Sequence, residues 1–107
     1  MVEPEIFTIR FSDNVTISNI YDAHVLMSSA LHSDSAVEID ISDISEADLT
    51  FVQLIESARR SMMERGRSIR LLHAADGAVA QVLRRGGFLD PADSERMDFW
   101  LQGTSKQ

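Results

Sequence analysis

One hydroxyl stands beside an acid where a polar stretch gives way to an apolar-periodic one. The run is Asp40-Ile-Ser-Asp-Ile-Ser-Glu-Ala-Asp48-Leu49-Thr50-Phe51-Val52-Gln53-Leu54. A threonine at a helix start can cap the helix with its hydroxyl, and the acids Asp43, Glu46 and Asp48 precede it. Thr50 with Gln53, and Ser45 with Asp48, both have capping-box spacing, so spacing alone reads Thr50 as a cap.

The other reactive residue types form no comparable set. His24, His32 and His73 are scattered, without the spacing of metal ligands. Gly86-Gly87 ends a helix instead of opening one, so no phosphate-binding loop is expected. Asp40 with Asp43, or Glu46 with Asp48, could in principle do acid–base work, but in a polar loop they read as solvated or capping. A phosphoaspartate receiver needs a lysine after a late strand, and Lys106 is the sole lysine. The expectation is a protein without catalysis, cofactor or metal.

The elements that position Thr50 follow from periodicity. Ile6 to Phe11 alternate, with Phe7, Ile9 and Phe11 on one face. Ser12-Asp13-Asn14 predicts a tight turn and Val15-Thr16-Ile17 a return strand, together a hairpin. Ser18 or Asn19 caps a helix over about 20–32. Val37-Glu38-Ile39-Asp40-Ile41 alternates as a strand buried on one face. Residues 42–49 read as a polar loop. A helix over about 50–65 has Phe51, Leu54, Ile55, Ala58 and Met62 as its apolar stripe, and Glu56, Arg59, Arg60 and Glu64 on its wet side. Gly66 ends it. A strand over 69–72 follows, with Arg70 placed near Glu38 or Asp40. Asp76 then caps a helix over 77–85. Met97 to Leu101 reads as a strand or turn docking on the core, and 102–107 as a frayed tail. Strands alternating with helices predict one α/β domain, residues 1–107 with a core of about 6–101. Its sheet would be mixed, of about four to five strands, with the helices mainly on one face.

Composition narrows the function classes. The 107 residues carry 10 Lys+Arg against 17 Asp+Glu and no cysteine. No apolar run approaches the roughly 20 residues that span a bilayer, and the acidic start does not read as a signal peptide. The absence of cysteine excludes disulfides, zinc–thiolate sites and a thiol nucleophile, and fits a cytoplasmic protein. A net charge of −7 argues against nucleic acid and against direct membrane association. Residues 1–58 hold eleven acids and one base, Arg10. Residues 59–107 hold six acids and nine bases. The acidic half can select a basic partner.

The 40–54 run resembles the core motif of STAS domains, the fold of bacterial anti-sigma-factor antagonists. Their pattern runs from a strand through Asp-Leu-Ser-x-Val-x-x-Ile-Asp-Ser-Ser-Gly-Leu into a helix. Asp40-Ile41-Ser42, Ile44, Asp48, Val52 and Leu54 match it, and Thr50 falls on the hydroxyl that the family uses as phosphoacceptor. Gly66, the 69–72 strand, Val79 to Leu83 and Gly87-Phe88 continue the likeness, which covers roughly residues 6–90. Leu49 replaces the first serine of the pattern, and Phe51 the glycine that lets a kinase approach.

The resemblance implies a bacterial signalling protein that binds a regulatory Ser/Thr kinase, an anti-sigma factor or a chemosensory component. Its partner surface would be Asp43, Ser45, Glu46, Asp48, Leu49, Thr50 and Gln53. The Asp-Leu-Thr-Phe-Val-Gln-Leu run and the terminal Phe-Trp-Leu look most like divergent members found with chemosensory genes. Another branch of the family is an accessory subunit of lipid-transport ABC complexes, whose hydroxyl at this place contacts the ATPase.

Overall fold

The computed structural model describes residues 5–102. Alternation along the first strand puts Ile9, Phe11 and Val15 on the core side, each nearly inaccessible to solvent. The strand does not turn back. β1 (Ile6–Val15) is one continuous strand, paired in parallel with β2 (Ala36–Ala47). The expected hairpin is therefore corrected. Asp13 does adopt a left-handed conformation, with φ of 61°, but it does so inside the ladder. The register shifts between Arg10 and Ser12 and again between Asp13 and Asn14. The turn-forming residues are absorbed as irregularities of the ladder, and β2 runs to 12 residues against 10 in β1.

Residues 42–47, expected as loop, belong to β2 because β1 offers them a partner. Ile44 and Ala47 pack against the core there. β3 (Ile69–Leu71) pairs in parallel on the other side of β2, giving the order β1-β2-β3. Among the described residues the sheet has three strands, all parallel, where a mixed sheet of four to five was expected.

The parallel ladders need crossovers, supplied by α1 (Ile20–His32) and α2 (Leu49–Glu64); α3 (Gly77–Arg85) follows β3. All three pack on the sheet face bearing Ile9, Phe11, Val37, Ile39, Ile41 and Leu71. Phe51 is fully buried and meets Phe11 edge to face, ring centroids 5.2 Å apart. α2 ends where Gly66 takes φ of 67°. The Gly66 N–H bonds the Met63 carbonyl and the Arg67 N–H that of Met62, the paired closure that a left-handed glycine permits.

The opposite sheet face is polar. Glu38 pairs with Arg70 at 2.7 Å, the neighbour that strand register predicts, and Asp40 with Arg10 at 3.2 Å.

The last segment is a helix, α4 (Ser94–Leu101), and not a strand. Asp93 caps it, accepting from the Arg96 N–H at 3.1 Å. A short apolar run such as Met97 to Leu101 fits either period; here Trp100 alone is fully buried and Phe99 only partly. The helix is tied to β3 and the segment after it. Ala75 N–H bonds the Trp100 carbonyl at 2.7 Å, and the Gln102 amide bonds the Leu71 carbonyl at 2.6 Å.

Candidate functional site

The site is built where β2 ends and α2 begins. Chain direction leaves β2 at Ala47, and Asp48 takes an extended backbone conformation as the N-cap of α2. Its Oδ1 accepts from the Thr50 N–H at 3.1 Å and from the Thr50 hydroxyl. Its Oδ2 accepts from the Ile17 N–H at 2.8 Å, across 31 positions of sequence. Burial alone would raise the pKa of this carboxyl. The Thr50 hydroxyl and the N–H groups of Ile17, Thr50 and Phe51 outweigh it and hold the pKa below the usual aspartate value.

Thr50 is thus not the cap of α2; Asp48 is, and Thr50 is the second residue of the helix. Neither capping box forms. The Ser45 hydroxyl instead reaches the Asp13 carbonyl at 3.2 Å and Asn14 Oδ1 at 3.4 Å. The Thr50 side chain is half-buried, with its hydroxyl oriented by Asp48. Phe51 turns wholly inward, into the α2 stripe, and so leaves the approach to Thr50 clear.

Of the remaining predicted surface residues, Asp43, Ser45 and Glu46 lie on β2 ahead of Asp48, and Leu49 and Gln53 lie on α2. Asp43, Ser45, Glu46 and Gln53 are exposed, and so is Leu49, at 43%. Asp43 lies 4.0 Å from the Arg10 guanidinium. Asp40 stands apart from this set. It is buried, accepts from the Ser42 hydroxyl at 2.6 Å and the Ser42 N–H at 3.0 Å, and its pKa is lowered by those bonds and by Arg10.

Residues 16–19 were not expected at the site. Asn19, anticipated as a helix cap, makes no side-chain cap bond to α1. It folds the preceding segment instead, accepting from the Thr16 N–H at 2.9 Å and donating to the Asn14 carbonyl at 2.8 Å. That holds Ile17 against Asp48 with its side chain 68% exposed. The only signal in the sequence was an isoleucine stranded among Thr16, Ser18 and Asn19.

Among the described residues, no group of three or more His, Cys, Asp or Glu is placed to hold a metal ion, and no helix is long and apolar enough to cross a membrane. What the arrangement offers is an oriented hydroxyl, a caged aspartate and a rim of exposed acids and aliphatics.

A family model described as "Mlab, STAS domain" matches residues 4–92. The chain belongs to the STAS-domain family. No curated protein matches it. The match spans the whole site and all three strands, leaving all of α4 beyond it. Within this STAS domain Asp40-Ile41-Ser42 lies on β2, Asp48 caps α2, and Val52 and Leu54 lie on α2.

Proposed function

We propose that this STAS domain is a non-catalytic, cytoplasmic signalling module of the anti-sigma-factor-antagonist kind, controlled at Thr50. Its partner is a regulatory Ser/Thr kinase or anti-sigma factor, in a sigma-factor or chemosensory system. The observation that carries this reading is the Asp48 cage. It presents the Thr50 hydroxyl at the first turn of α2, beside exposed Leu49 and Ile17, with the exposed acids Asp43 and Glu46 on the strand that leads into the site. Between Arg10 and Arg59 there is no Lys or Arg, so this surface complements a basic one. A phosphate at Thr50 sets a hydrated dianion against the exposed apolar Leu49 and Ile17, and the cost of desolvating it favours release of a partner docked there. Mass spectrometry of the protein isolated from its own cells tests this. Phosphate on Thr50 in part of the population is the expected result; phosphate confined to other residues contradicts it.

A second reading is an accessory subunit of a lipid-transport ABC complex, docking on an ATPase through the same surface without modification. It draws on the Thr50 hydroxyl being already engaged by Asp48 and on Phe51 standing where the motif has glycine. Neighbouring genes separate the two: sigma-factor or chemosensory components against an ABC operon.

A further inference from the structure

The two oxygens of Asp48 serve different parts of the chain. Oδ1 is occupied by Thr50, through its N–H and its hydroxyl, and Oδ2 by the Ile17 N–H. Residues 16–19 are otherwise bonded only to their near neighbours: Thr16 N–H to Asn19 Oδ1, Ser18 N–H to Thr16 Oγ1, Asn19 N–H to the Thr16 carbonyl, the Asn19 amide to the Asn14 carbonyl, and Asp22 N–H to the Asn19 carbonyl. Among the described residues, the Ile17–Asp48 bond is the one hydrogen bond from this segment to the start of α2. Side-chain packing does not replace it, because Ile17 is 68% and Tyr21, in the first turn of α1, 74% exposed. Since α1 and α2 each return between parallel strands and pack together, their N-termini lie at the same end of the sheet. Ile17, Tyr21 and Leu49 therefore belong to the edge that carries Thr50.

We propose that Asp48 is a clasp coupling Thr50 to the Ile17 segment, and that phosphate on Thr50 releases that segment. The proposal rests on the reading of Thr50 as the control residue. In the transfer, Oγ1 of Thr50 forms a bond to the γ-phosphorus of a nucleoside triphosphate held by the kinase. The bond from that phosphorus to its bridging oxygen breaks, leaving the diphosphate, and the hydroxyl proton passes to the kinase's base. Asp48 then loses a donor and gains a dianionic neighbour two residues away. The carboxylate turns from the phosphate and gives up the Ile17 N–H. Partner release follows from loss of the apolar Ile17 contact and from the cost of desolvating the phosphate.

The test is amide hydrogen exchange followed by NMR on the full chain in four forms: unmodified, Asp48→Asn, Thr50→Val, and a chain with phosphothreonine incorporated at position 50. Asparagine still caps a helix but has a single acceptor oxygen, so it cannot hold both Thr50 and Ile17. The Ile17 amide should exchange at least about tenfold faster in Asp48→Asn and in the phosphothreonine form, since local opening sets the rate. Amides in the core of α2 should stay slow. Thr50→Val leaves the Thr50-position N–H on Asp48 and should leave Ile17 close to unmodified.

Equal Ile17 exchange in the unmodified and phosphothreonine forms overturns the clasp, even where the latter fails to bind its partner and Thr50 stands as the switch. Faster Ile17 exchange without any change in partner binding supports the clasp but overturns release through Ile17, and removes Thr50 as the switch. Should Asp48→Asn not fold, the Thr50→Val and phosphothreonine pair decides alone.

Discussion

Trp100 donates its indole N–H to Glu56 Oε2 at 2.7 Å, joining α4 to α2 across 44 positions of sequence. Glu56 also accepts from Arg59 at 2.9 Å, and Arg96 stands 3.4 Å from the same carboxylate. Two arginines and an indole thus converge on one buried acid. Arg59 in turn lies over the Phe99 ring, 5.6 Å from its centroid. The cluster fixes the last helix of the domain against the second.

Removing that acid leaves two arginines partly desolvated and an indole N–H without its partner. Glu56→Ala should lose about 3 kcal/mol of unfolding free energy. Trp100→Phe, which removes the donor while keeping an aromatic ring, should lose less, about 1–2 kcal/mol. Urea titration of both variants checks this. A Glu56→Ala protein as stable as the parent would show the cluster to be dispensable.

Three carboxylates titrate below their ordinary values in the folded chain. For Glu56, burial opposes ionisation but the bonds from Trp100 and Arg59 and the charges of Arg59 and Arg96 prevail. Asp48 is held down by its four donors against the same opposition from burial, and Asp40 chiefly by Ser42. The unfolded chain therefore binds more protons at low pH, and stability rises with pH in that range. The contribution should be fully present above about pH 4–5, the unfolded carboxylate range. It should disappear as pH falls through the depressed folded values. Unfolding free energy measured from pH 7 down to pH 3 should fall steadily below about pH 4.5, with a shallower fall in Glu56→Gln. Stability that is flat or rising on acidification contradicts the assignment.

The Glu38–Arg70 pair lies on the polar sheet face, with the arginine side chain 66% exposed. Arg70→Ala should therefore cost less than about 1 kcal/mol. A loss of several kcal/mol in thermal melting would mean that this face is covered by something, since only a desolvated pair is worth so much.

Asp43 and Glu46 are exposed on β2, the strand that leads into the Thr50 site. Exchanging both for lysine should slow partner association and flatten its dependence on salt, because rim charges act mainly on the encounter rate. Stopped-flow association at two ionic strengths reads this. Unchanged rates would remove electrostatics from the recognition.

Much of this was legible in the sequence for a physical reason. The α2 stripe of Phe51, Leu54, Ile55, Ala58 and Met62 has a single helical period, and the structure buries all of it but Leu54, which is partly buried, with Val52 added. The Glu38–Arg70 contact followed from two strands linked by a helical crossover. Ser12-Asp13-Asn14 misled because a left-handed residue serves a turn and a ladder irregularity equally, and only the β2 partner decides between them. Glu56 was assigned to the wet side because helical spacing says nothing of a second helix arriving there. α4 brings Trp100 and Arg96 to it. At the site, the acid and hydroxyl were visible as a local pair, while the Ile17 contribution was not, since a backbone N–H carries no residue signature.

The control of partner binding by Thr50 is tested most directly by three proteins side by side: the parent, Thr50→Ala and Thr50→Glu. Thermal melting comes first, then equilibrium binding to the partner recovered with the parent protein. Because Asp48 caps α2, neither substitution removes the cap, and melting should shift by the equivalent of about 1 kcal/mol or less. The parent and Thr50→Ala should bind alike. Thr50→Glu should bind more than tenfold more weakly, a loss above about 1.4 kcal/mol. Equal binding by all three folded proteins would contradict the account and leave Thr50 as a structural residue of the first turn.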